Sequence, residues 1–100
     1  MPKKHKDFMA QRHIDDFMDF YGIERNFERD ICERLVSTNM NVKEIARSMG
    51  KTENTISTAS SEIYAQTNAS CRLGLMTLYQ QFLEYLVDEI VETADMPGAN

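Results

Sequence analysis

Between residues 42 and 64, two apolar stretches of helical period are separated only by Gly50, Lys51 and Thr52. Val42, Ile45, Ala46 and Met49 recur at i, i+3, i+4 and i+7, and Ile56, Ala59, Ser60 and Ile63 repeat that spacing after the break. Glycine ends helices because it enters the left-handed conformation without a Cβ clash, and threonine caps the next helix through its hydroxyl. So short a connection makes the two helices cross steeply, and the second projects its outer face from the domain.

Three further helices follow from the same period, and nothing in the chain alternates as a strand would. In the first, roughly 5–21, Ala10, Ile14, Phe17, Met18 and Tyr21 share a face, and Gly22 supplies a stop. Asn26 is placed to cap the second, where Phe27, Ile31 and Leu35 form a stripe that Cys32 and Val36 widen, fading near Ser37 to Asn39. Asn41 and Thr52 cap the third and fourth helices; Tyr64 lies beside the inner face of the fourth, and Asn68 terminates it. Ser70 opens a fifth that extends to about Thr93, ahead of Met96, Pro97 and Gly98. The expected fold is all-α, with four to five helices: an N-terminal extra helix, a helix-turn-helix and a long C-terminal helix. A basic arm and N-terminal helix occupy residues 1–25, the helix-turn-helix domain with its extended last helix 26–94, and a flexible tail 95–100.

One hundred residues with 42% hydrophobic content allow one compact core and leave no room for a separate catalytic domain. An enzyme is not expected. His5 and His13 lack metal-ligand spacing, Asp15, Asp16 and Asp19 read as a solvated acidic face, and there is no Gly-rich phosphate loop. Cys32 and Cys71 lie far apart in helical patterns without C-x-x-C or Cys/His clustering, so both read as small core residues, and neither a metal nor a cofactor is implied. The apolar region near residues 73–91 is interrupted by Gln80, Gln81, Glu84, Asp88 and Glu89, which argues against a membrane span. Residues 1–13 carry Lys3, Lys4, Lys6 and Arg12 but no apolar signal segment, so a cytoplasmic location is expected.

Charge is distributed unevenly around the net value of -5. Residues 14–40 hold seven acids against Arg25, Arg29 and Arg34, and residues 73–100 hold five acids and no base. Only the N-terminus and the stretch with Lys43, Arg47, Lys51 and Arg72 are locally basic. On the outer face of the fourth helix, Asn54, Ser57, Thr58 and Ser61 follow i, i+3, i+4 and i+7, all polar and uncharged. Such groups suit hydrogen bonds to base edges or phosphates, yet from Glu53 to Thr67 the helix has no Lys or Arg. The same pattern fits the solvated face of a core-packed helix, and spacing alone does not separate the two.

Residues 26 to about 83 resemble the DNA-binding domain of the LuxR/GerE class of bacterial regulators. The resemblance rests on Lys43, Glu44, Ile45 and Ala46, then Met49 and Gly50, then Thr52, Glu53, Thr55 and Ile56, then Ile63, Tyr64 and Arg72. Glu28, Arg29, Asp30, Ile31 and Leu35 resemble the family's opening helix. It implies base-reading positions at Ser57, Thr58 and Ser61, with Asn54 beside them, and phosphate contacts from Lys43, Arg47, Lys51 and Thr55. The chain departs from the family where basic residues are common: Ser57, Ser61, Ala65 and Gln66 are uncharged, and Ala59 stands where a His is frequent. Glu62 adds a negative charge whose effect depends on whether it faces the DNA backbone or the flank.

The last helix points to association. Leu75, Leu78, Tyr79, Phe82, Leu83, Leu86, Val87, Ile90 and Val91 cover more than half its circumference, wider than one small core requires. Either the first helix covers the excess within one chain, or Leu78, Tyr79, Phe82, Leu83, Leu86 and Ile90 form a dimer interface, as the family's last helix commonly does. The expected function is a small transcription regulator that binds double-stranded DNA as a homodimer. The alternative is a co-regulator or antagonist that keeps the fold and binds another transcription regulator or RNA polymerase.

Overall fold

The computed structural model of the protein describes residues 13–98, with side chains through Leu86. Among them are five helices and no strand: α1 over residues 13–20, α2 Asn26–Ser37, α3 Val42–Met49, α4 Glu53–Thr67 and α5 Arg72–Gly98. The fold is all-α, as the periodicity predicts. α2 packs against both α4 and α5, and α3 packs against α4.

The caps set the element boundaries. Asn41 and Glu44 form a reciprocal capping box at α3: the Glu44 backbone N–H donates to Asn41 Oδ1 at 2.8 Å, and the Asn41 N–H donates to Glu44 Oε1 at 2.9 Å. Thr52 caps α4 by accepting the Thr55 N–H at 3.2 Å, and Asn68 ends it in the left-handed conformation with φ 61°. Two starts differ from expectation. α2 is capped by Arg25, without a side-chain bond, because the Arg29 N–H reaches the Arg25 carbonyl and draws Asn26 into the first turn. α5 begins at Arg72 rather than Ser70, since its first bond runs from the Leu75 N–H to the Cys71 carbonyl. It continues to Gly98, past the expected end at Thr93.

The core gathers the apolar faces read from the sequence: Ile14, Phe17 and Met18 of α1, Ile31 and Leu35 of α2, Ile45 of α3, Ile56 and Ile63 of α4, and Leu75 of α5. Ile23, in the α1–α2 turn, is also fully buried, its N–H bonded to the Met18 carbonyl at 2.9 Å. Cys32 is buried as expected, and burial pushes its thiol up to about 12. Cys71 is not a core residue. It occupies the cap position before α5, off the helical stripe, and is exposed.

α1 is fastened at three places. The Phe17 ring meets Tyr79 and Phe82 of α5 edge to face, with centroids 5.1 and 5.6 Å apart. The Arg29 guanidinium pairs with Asp19 at 2.9 Å and Asp15 at 3.5 Å, and donates to the Ile23 carbonyl at 2.7 Å. The Gln66 side-chain amide donates to the Tyr21 and Gly22 carbonyls, which ties the α1–α2 turn to α4. Asp15 and Asp19 are therefore clamps on α2 and not merely a solvated face.

Arg72 joins the other end. From the first turn of α5 its guanidinium donates to the carbonyls of Leu35 at 3.0 Å, Arg34 at 3.2 Å and Thr38 at 2.7 Å, and to that of Met40. The last carbonyls of a helix lack intrahelical partners and carry the negative end of its dipole, so one planar cation satisfies the end of α2 and the loop after it together. Arg72→Met removes these bonds while keeping the stem's length. Its expected cost is about 3 kcal/mol, a fall of roughly 15 °C in melting temperature by circular dichroism. An unchanged melting temperature would show that water replaces the guanidinium without loss.

Candidate nucleic-acid interface

α3 and α4 are connected through Gly50, whose φ of +66° a side chain rarely adopts. A Cβ there would meet nothing within 4 Å, so backbone conformation alone requires the glycine. Below the turn, Ile56, Ala59, Ser60, Ile63 and Thr67 of α4 face inward and are buried. Asn54, Ser57, Thr58 and Ser61 are all exposed on the opposite side, and none bonds to another described side chain.

The sequence-predicted phosphate group divides by environment. Lys43 and Arg47, one turn apart on α3, are exposed and take part in no ion pair among the described residues. Lys51 is exposed in the turn, its ammonium 5.7 Å from the Phe27 ring centroid. Thr55 is exposed, but its hydroxyl lies 2.9 Å from that of Thr52 and belongs to the cap of α4.

The remaining described bases are engaged elsewhere. Arg29 is held by Asp15 and Asp19, Arg72 by backbone carbonyls, and Arg34 by the Ser48 hydroxyl at 3.2 Å and the Asp30 carbonyl at 3.0 Å. Arg25 is different: it is 75% exposed and only 4.0 Å from Glu28. It stands at the mouth of a notch of about 280 Å³ lined by Phe27, Glu28, Asn54, Thr55, Thr58 and Glu62. Sequence reasoning did not select Arg25, because no spacing on α2 relates it to the outer face of α4.

That notch answers the question raised by Glu62. Glu62 lies on the α4 flank that faces α2, where it lines the notch together with Glu28. Glu28 is buried, and burial is the main cause that holds its pKa above the usual carboxylate value; the neighbouring Glu62 carboxyl adds to this, and Arg25 opposes it.

On α5, Leu78, Tyr79, Phe82, Leu83 and Leu86 are half-buried. Tyr79 and Phe82 pack on Phe17 of the same chain, so α1 covers part of the wide apolar face. The Ile90 side chain and the Lys3, Lys4, His5, Lys6 segment lie outside the described residues. Among the described residues no cluster of His, Cys, Asp and Glu is arranged to hold a metal ion, and no helix is long and apolar enough to cross a membrane. Comparison of the chain with protein-family models, with curated proteins and with solved structures finds no match.

The Glu28 carboxyl makes stability depend on pH with a definite sign. Its folded pKa is raised, so its contribution is full below the unfolded value and declines as pH rises through the folded value. Glu28→Gln keeps the side chain's size and removes the ionisation. The variant should melt a few degrees above the wild type at about pH 7.5, with the gap closing toward about pH 4. A difference that stays constant across that range would rule out the raised Glu28 pKa.

Proposed function

We propose that the protein is a small transcription regulator of the LuxR/GerE type, acting in the cytoplasm and binding double-stranded DNA as a homodimer through α4. The observation that carries this reading is one surface. Lys43 and Arg47 of α3 and Lys51 of the turn, bases that no described acid or carbonyl consumes, are exposed on the unit in which α3 packs against α4, whose Asn54, Ser57, Thr58 and Ser61 are exposed too. Phosphate contacts from the bases would orient the domain, and the uncharged side chains would read base edges in the major groove. Leu83 and Leu86, with Ile90 on the same stripe of the sequence, would supply the dimer contact.

Magnitudes make this a binder of modest intrinsic affinity. Each phosphate contact contributes about 0.9 to the slope of log affinity against log salt, so three per protomer give roughly six contacts for a dimer. Hydroxyl groups distinguish bases less sharply than a bidentate arginine, and sequence preference would be shallow.

Fluorescence anisotropy with duplex DNA across a salt series tests the proposal. The Lys43→Ala/Arg47→Ala double variant should bind more weakly, with its slope reduced by about 2 per protomer. Ser57→Ala and Ser61→Ala should narrow the gap between preferred and random duplexes while leaving the salt slope unchanged. No wild-type binding even at low salt would refute the proposal.

A further inference from the structure

On another part of the molecule, α1 and α5 enclose a groove of about 380 Å³ lined by Phe20, Tyr21, Leu78, Gln81, Phe82 and Tyr85. Phe20 is 71% exposed and Tyr85 64%, although both are large aromatics at one site. Phe20 contacts the rings of Tyr21 and Phe82, with centroids 5.0 and 6.0 Å apart, so the wall is held in place by the core beneath it. Soluble domains rarely group exposed aromatics in a concavity without a partner for them. The groove has two helical walls and no charged lining group, so it offers little to orient a small polar ligand. Its shape suits apolar side chains presented at i, i+3 or i+4 and i+7 by another helix.

The surrounding charge selects the partner. Asp16 is exposed on α1, one helical turn before Phe20, and Glu84 is exposed on α5 beside Tyr85. Neither residues 13–20 nor residues 73–100 contain Lys or Arg, and the neighbouring Arg29 is already paired with Asp15 and Asp19. A symmetric pairing of two copies through this groove would set Asp16 and Glu84 of one copy against those of the other, with no Lys or Arg among the described residues that line it to answer them. We propose that the groove docks an amphipathic helix of another protein, with large apolar residues on one face and Lys or Arg on its flanks. This surface is separate from the Lys43–Ser61 face and serves a protein contact whether or not DNA is bound.

The test uses the full chain and two synthetic helical peptides of about 18 residues, long enough for several turns. Both carry Leu at i, i+3, i+4 and i+7; one has Lys flanks and the other Glu flanks. By calorimetry the Lys-flanked peptide should bind at least about tenfold more tightly than the Glu-flanked one. Phe20→Ser and Tyr85→Ser should each weaken it about tenfold. Leu73→Ser, a substitution of a 72% exposed residue outside the groove, should leave binding unchanged. All three positions are exposed, and circular dichroism of each variant is to show the wild-type helical signal before its binding is read. DNA affinity measured on Phe20→Ser should equal that of the wild type, which keeps this surface distinct from α4. Failure to bind the Lys-flanked peptide, equal binding of both peptides, or insensitivity to Phe20→Ser and Tyr85→Ser would overturn the proposal. Sedimentation showing a dimer that Phe20→Ser dissociates would assign the groove to a second copy and overturn it equally.

Discussion

The Arg72 guanidinium fixes the geometry on which the α3–α4 unit depends. It gathers four carbonyls from the end of α2 and the loop into α3, so α5, α2 and the start of α3 meet at one cation. A carboxylate could neutralise that cation but would fix a single point. Several carbonyl dipoles distribute the compensation and define where the loop runs. With the loop held, the Asn41–Glu44 capping box starts α3, Gly50 turns the chain, and Thr52 starts α4 with its polar face outward.

Structural demand also explains the charge left on that face. α2 supplies Arg29 and Arg34, and both are used: one fastens α1, the other joins α2 to Ser48 of α3. Lys43, Arg47 and Lys51 remain available, together with the exposed Arg25. Opposing them, Glu44 is committed to its capping box and Glu62 faces α2 at the notch that holds Glu28.

The helices were legible because their apolar residues recur with the helical period and because Asn41, Gly50, Thr52 and Asn68 punctuate them with specific backbone chemistry. Ile23 was not legible, since a turn has no periodicity to mark an inward residue. Cys71 misled for the related reason that it precedes the first turn of α5, where the stripe does not yet apply. The outer face of α4 could be read as exposed, but the use of each base could not. Arg29, Arg34 and Arg72 look alike in sequence, and only tertiary placement shows that their charge is spent internally. The same holds for Glu28, an apparent surface acid that the approach of α4 buries. The α1–α5 groove depends on two helices far apart in the chain, so no local pattern announces Phe20 and Tyr85 as neighbours.

The central claim is that nucleic acid meets this protein on the α3–α4 surface. Titrating isotopically labelled protein with a duplex and following its amide resonances tests that claim at residue level. The account predicts shifts concentrated at Lys43, Arg47, Lys51 and from Asn54 to Ser61, with Phe20, Leu78 and Tyr85 unmoved. Shifts confined to α1 and α5, or none at low salt, would contradict it.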